Sequence, residues 1–163
     1  MADYNIENLK FLVVEDDANM RHLITTILSS LGVRYTATAN SAEKGFGRLS
    51  DFEADIVICD LRMEPLDGIE FTKMVRTHDD SPNRYVPIIM LTGHSELSAV
   101  ERARDAGVHE FMAKPVSATR LYAKIKSIIE HPRVFVRTGD YFGPDRRRRQ
   151  DPDYDGPERR KAI

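Results

Sequence analysis

The sequence predicts an α/β protein built on a parallel sheet with helices on both faces. Three observations carry that prediction. Short apolar segments recur at 10–14, 35–39, 55–59, 86–91 and 110–113, each bounded by polar or turn residues. Stretches with helical spacing lie between them. The segments themselves, such as DIVIC and VPIIML, are nearly continuous in apolar residues, the pattern of strands buried on both faces and joined by right-handed crossovers.

Each element follows from local chemistry. The first helix is the clearest: Met20, Leu23, Ile24, Ile27, Leu28 and Leu31 form one apolar stripe before Gly32 ends it. Asn40 with Glu43 suits a cap for the second helix, Asp67 for the third, Ser95 for the fourth and Ser117 for the fifth. Gly45 and Gly47 fall inside the second helix and make it the weakest of the five. Leu121, Ile125, Ile128 and Ile129 share a face of the last helix, which ends near His131 and Pro132.

Length and composition bound the rest. At 163 residues there is room for one domain, over 1–130, and an appendage, over 131–163. Hydrophobic residues at 41% and charged residues at 31% exclude a disordered or membrane-embedded chain. The apolar runs are too short to span a bilayer, and the opening MADYNIENLK lacks the apolar core of a secretory signal. The expected location is the cytoplasm. The lone Cys59, inside DIVICD, reads as a buried strand thiol. A net charge of -2 hides an asymmetry: residues 131–163 hold nine basic and six acidic side chains, for +3, and the first 130 residues sum to -5.

In this architecture ligands bind outside the carboxyl ends of the strands, so the residues placed there matter most. Glu15, Asp16 and Asp17 follow the first strand, Asp60 the third, Thr92 the fourth, and Lys114 with Pro115 the fifth. Taken singly, each acid reads as a solvated loop charge. Three acids, a hydroxyl and a lysine gathered on one sheet edge read differently. Two carboxylates about 4 Å apart repel by about 4 kcal/mol at an effective dielectric near 20, so Glu15, Asp16 and Asp60 need a cation to converge. Hard oxygen ligands at a partly open site suit magnesium.

The segments FLVVEDDANMR, VICDLRMEPLDG, IIMLTGH and FMAKPV, in that order and spacing, resemble the receiver domain of two-component response regulators over roughly residues 8–130. The resemblance implies a flavodoxin-like sheet of order 2-1-3-4-5 with five helices and an extended C-terminal tail. It implies that Asp60 is the phosphoacceptor, that Asp16 and Asp60 bind Mg2+ together with the backbone carbonyl of Arg62, and that Glu15 acts through water. Thr92 and Lys114 then contact the phosphoryl group, Lys114 being aimed inward by a cis bond to Pro115. Thr92 and Phe111 form the switch that shifts the fourth helix and fifth strand; many relatives carry Tyr where this chain has Phe111. The implied donor is a sensor histidine kinase or a histidine phosphotransfer protein, and a homodimer through helix 4 and strand 5 is a further analogy. The output would be protein interaction, through a downstream partner that the sequence does not name. Two departures stand out: Glu64 separates Met63 from Pro65, and Arg62 and His94 occupy positions where the family tunes dephosphorylation. The remaining histidines, including His109, lack metal-ligand spacing.

The tail contains a repeat. DYFGPDRRR at 140–148 and DYDGPERRK at 153–161 align at a period of 13. One reading is a solvated low-complexity tail. The other is a docking element using Tyr141, Phe142, Arg146, Arg147, Tyr154, Arg159 and Arg160, directed at a protein partner or back onto the acidic receiver. Interleaved acids argue against a plain phosphate-binding patch, which keeps nucleic-acid binding as the alternative. An Asp-nucleophile phosphatase of the haloacid dehalogenase type needs a second acid two residues beyond the nucleophile, where this chain has Arg62. The chain is thus expected to be a signalling phosphoacceptor and no enzyme beyond its own phosphorylation and dephosphorylation.

Overall fold

The computed structural model describes residues 4–93, 98–139, 141–145 and 161–162. Five parallel strands, β1 (Lys10–Val14), β2 (Tyr35–Ala39), β3 (Ile56–Asp60), β4 (Ile88–Thr92) and β5 (Glu110–Ala113), form one sheet in the order β2-β1-β3-β4-β5. The helices are α1 (Ala18–Ser30), α2 (Ala42–Asp51), α3 (Gly68–Thr77), α4 (Val100–Ala106) and α5 (Ala118–Glu130). Alternate strand residues face opposite sides. Phe11, Val13, Ile58, Ile89, Leu91 and Met112 pack with Ile24, Leu28, Leu121 and Ile125 of α1 and α5. Leu12, Val14, Val57, Cys59, Ile88 and Met90 pack with residues of α2, α3 and α4. Both sheet faces are therefore covered, as the continuous apolar strands require.

The local signals are refined at several points. Asp60 and Thr92 are the last residues of their strands, where the sequence placed them just beyond. The backbone pairing of Asp60 with Leu91, and of Thr92 with Ala113, holds both in the sheet ladder. The cap of α2 is Ser41, whose hydroxyl accepts from the Lys44 N–H at 3.1 Å, and not Asn40. Asp67 and Ser117 cap α3 and α5 as expected. Asp17 caps α1, accepting from the Met20 N–H at 3.0 Å. Ser95 and His94 lie outside the described residues, and α4 starts after Ala99 with no side-chain cap. Gly45 stays inside α2 because a Cβ there would meet Val14 at 2.8 Å; the glycine weakens the helix but lets it lie close on β1.

The tail, for which the sequence left a solvated segment and a docking element both open, contains strands among its described residues. β6 (Phe135–Thr138) and β7 (Tyr141–Pro144) form an antiparallel hairpin, and β8 (Lys161–Ala162) pairs with the other edge of β6. Gly139 turns the hairpin with a φ of +55°, a conformation open to glycine. β7 packs against α3 and α4, so this part of the tail lies on the receiver itself.

Candidate phosphoacceptor site

Strand register assembles the site. β1 pairs with β3 through Val14 and Cys59, so the next residues, Glu15 and Asp60, come side by side at the sheet edge. The Lys114 N–H donates to the Thr92 carbonyl at 2.8 Å, extending the β4 to β5 ladder past Ala113. The Lys114–Pro115 bond is cis.

Asp60 is only 3% exposed. Its Oδ2 accepts from Lys114 Nζ at 2.9 Å, and its Oδ1 accepts from the Arg62 N–H at 3.2 Å. Both carboxylate oxygens thus face donors, a strong charge-assisted arrangement. Gly68, at the start of α3, leaves room for the end of β3: a Cβ there would lie 2.6 Å from the Asp60 carbonyl oxygen and 2.6 Å from Met90 Sδ. Its own N–H donates to the Leu61 carbonyl at 2.8 Å.

Glu15 is 1% exposed. Its Oε1 accepts from the Asp17 N–H at 3.2 Å, while Oε2 is buried without a hydrogen-bond partner among the described residues. Burial, and then the neighbouring Asp60 carboxylate, push the Glu15 carboxyl up to about 8. A carboxyl raised that far is mostly protonated at neutral pH, and ionising it beside Asp60 calls for added positive charge. Asp16 is exposed beside them, its Oδ2 accepting from the Glu64 N–H at 3.2 Å and so tying the loop after β3 to the loop after β1. The Glu64–Pro65 bond in that loop is cis. These residues fit a divalent cation. Among the described residues no group of three His, Cys, Asp or Glu side chains is placed to hold a metal ion together.

Thr92 is buried at the end of β4, and Phe111 is half-buried against the cluster that includes α3 and α4. Arg62 is exposed. Tyr141 and Phe142 are in β7, with Phe142 3% exposed. Arg146, Arg147, Tyr154, Arg159 and Arg160 lie outside the described residues.

The profile of the response regulator receiver domain matches residues 11–126. The chain belongs to that family. It is 29% identical over 124 residues to the chemotaxis protein CheY-3 of Vibrio cholerae, covering 76% of this chain and 94% of that protein. It is 30% identical over 122 residues to the chemotaxis protein CheY of Pseudomonas aeruginosa, covering 75% of this chain and 97% of that protein. Among solved structures, a putative response regulator from Chloroflexus aurantiacus superposes with a TM-score of 0.68 at 28% identity, covering 75% of this chain and 98% of that one. The receiver domain of a sensor histidine kinase from Pseudomonas aeruginosa, with a magnesium ion coordinated in its active-site cleft, gives a TM-score of 0.66 at 27% identity, again covering 75% and 98%. This receiver domain is therefore a two-component signalling module, and no described helix is long and apolar enough to cross a membrane. The family match ends at Lys126, before β6.

Sequence reasoning met Gly68 only as the end of the segment VICDLRMEPLDG, and did not single out Arg76 or the burial of His109. Arg76 is 1% exposed with its Nε donating to the Gly107 carbonyl at 3.0 Å and Nη1 to the Arg84 carbonyl at 2.9 Å. Burial lowers its pKa to about 9, which leaves it charged at neutral pH. Gly68 had a signal in the turn sequence PLDG; a buried arginine on α3 had none.

Proposed function

We propose that this receiver accepts a phosphoryl group on Asp60 from a histidine kinase or phosphotransfer protein and relays the change through α4 and β5. The carrying observation is the environment of Asp60: a buried carboxylate held by Lys114 and the Arg62 N–H, with the unpartnered Glu15 oxygen beside it. In the step itself an Asp60 oxygen forms a bond to phosphorus as the phosphorus–nitrogen bond of the donor phosphohistidine breaks, and the imidazole leaves. Asp60 needs no general base because it attacks as a carboxylate.

Asp16 and Asp60, the Arg62 carbonyl and, through water, Glu15 would hold the magnesium ion. Bound there, it would neutralise charge on the phosphoryl oxygens. Lys114 leaves the Asp60 oxygen and pairs with the incoming phosphoryl group. The Thr92 hydroxyl donates to a phosphoryl oxygen, and the Phe111 ring moves with it. Water hydrolyses the acyl phosphate later, so the mark is reversible. The presence of Phe142 in the hairpin core removes one ring from the set that nucleic-acid stacking would use, which favours protein contacts for the tail. A cytoplasmic location and a homodimer through α4 and β5 accompany this reading.

The test is incubation with magnesium and acetyl phosphate followed by intact-mass measurement. Wild type gains one phosphoryl mass and Asp60→Asn gains none. Equal gain by the two proteins, or no gain by wild type, refutes the assignment.

A further inference from the structure

The C-terminal hairpin grips the receiver where its helical framework is weakest. Asp17, Ser41, Asp67 and Ser117 each cap a helix by accepting from a first-turn N–H. α4 begins after Ala99 without such a bond and runs for seven residues. So short a helix has little stability of its own, and tertiary contacts decide where it sits. Those contacts concentrate at its C-terminal end. Gly107, the left-handed cap at φ +111°, gives its carbonyl to Arg76 Nε. A Cβ on Gly107 would lie 3.0 Å from the Arg76 side chain. From the other side comes Gly143 of β7, where a Cβ would lie 3.0 Å from Gly107 Cα and 2.8 Å from Tyr141 Oη. The end of α4 is thus wedged between α3 and the hairpin with no slack.

Aromatic rings hold the wedge. Phe135 packs against Tyr85 at 5.1 Å, His109 at 5.4 Å and Phe142 at 5.7 Å between ring centroids. The Arg76 guanidinium lies 5.1 Å over the Phe135 ring, a cation–π contact in a desolvated site. Arg133 Nη2, just before β6, stands 3.9 Å from Glu110 Oε1 at the start of β5. Phe135, Val136 and Phe142 are buried but stand outside the two apolar clusters that flank the sheet, so departure of the hairpin uncovers its own rings with Arg76 and His109 and leaves those clusters closed.

We propose that the hairpin is a clamp on α4, docked while Asp60 is a carboxylate paired with Lys114 and released when phosphorylation of Asp60 displaces α4. This rests on the phosphoacceptor reading above and assigns that site a target within its own chain. The pull reaches α4 from the site: Thr92 ends β4, and the chain leads from it toward α4. Movement of α4 must separate Gly107 from Arg76 or from Gly143, and either loss dismantles the wedge. By thermodynamic reciprocity, loosening the clamp favours the phosphorylated state by the same factor that phosphorylation loosens the clamp.

Amide hydrogen exchange in the full chain tests this, with excess acetyl phosphate and magnesium and with intact mass read on the same samples. Amides of residues 135–143 exchange about fivefold faster or more in phosphorylated wild type than in Asp60→Asn treated alike, the lower end of typical coupling. Full-length Phe142→Ser and Gly143→Ala raise the phosphorylated fraction at limiting acetyl phosphate by a similar factor. Gly143→Ala keeps every apolar ring and disturbs only the close approaches to Gly107 and to the Tyr141 hydroxyl, so its effect separates the wedge from general hydrophobicity. Phosphoryl mass with unchanged exchange in the hairpin overturns the clamp and leaves the acceptor standing. Unchanged phosphorylated fractions in both variants also overturn it. Absence of phosphoryl mass removes the acceptor and the clamp together.

Discussion

Acid should destabilise this protein through His109 in a way that one substitution isolates. His109 is 6% exposed, its Nδ1 is 3.2 Å from Arg76 Nη2, and its ring lies against Phe135. Burial, then the charges of Arg76 and Arg133, lower its pKa to about 2 from the ordinary 6.5. Glu110, next in sequence, is engaged by Lys124, Arg133 and Ser127. Below pH 6.5 the unfolded chain takes a proton on this histidine and the folded chain does not. The stability it contributes is therefore complete above 6.5 and declines as pH falls toward 2. Between pH 7.5 and 5.0 that single proton amounts to about 2 kcal/mol, a shift of about 1 M in a urea midpoint for a slope near 2 kcal/mol per M. Urea unfolding followed by circular dichroism at both pH values, for wild type and His109→Gln, measures it. Carboxylates titrate alike in the two proteins, so the difference between their losses reports His109. Wild type should lose about 2 kcal/mol more than the variant. Losses equal within about 0.5 kcal/mol, the usual additivity error, would show that His109 is protonated in the fold and that the arginine-lined cage has been misread.

Gly68→Ala should destabilise by about 1–3 kcal/mol through overpacking, because its Cβ would meet the Asp60 carbonyl, Met90 and Leu61; thermal melts give the loss, and intact mass after acetyl phosphate should show slower phosphoryl uptake. Magnesium at ten times its dissociation constant should stabilise wild type by about 1.4 kcal/mol, read as a rise in melting temperature. Asp16→Asn should lose most of that rise, and an equal rise in the variant would remove Asp16 from the metal site.

The sheet and the gathering of side chains at its strand ends were legible because two independent signals coincide there. Continuous apolar strands report burial on both faces, and the functional side chains sit at the one edge that parallel topology exposes. Strand order and the roles at Asp16, Asp60, Thr92 and Lys114 came from motif resemblance, since periodicity alone does not rank neighbours. Caps were readable where one candidate preceded a helix, as at Asp67 and Ser117, and misassigned where Asn40 and Ser41 compete. The Ser41 hydroxyl, one residue nearer, meets the Lys44 N–H. The hairpin was illegible for a different reason. Its strands are four residues each, and their burial depends on Tyr85, His109 and Arg76, none of which is near in sequence. Arg76 itself reads as a surface charge on α3 until Phe135 covers it.

The placement of the hairpin also bears on what kind of signal the chain sends. A receiver that exposes a fixed face depends on its partner to sense a small displacement. A receiver whose weakest helix is wedged by its own C-terminal strands converts that displacement into a change of covering. Release would uncover Phe135 and Phe142 together with the apolar rim of Tyr85, and would free a segment bearing the Arg-rich repeat from its tether at β6. A few buried rings set against one displaced helix make terms of similar size, so the two states stay within reach of a single phosphoryl group, whereas a larger apolar interface would lock the hairpin down.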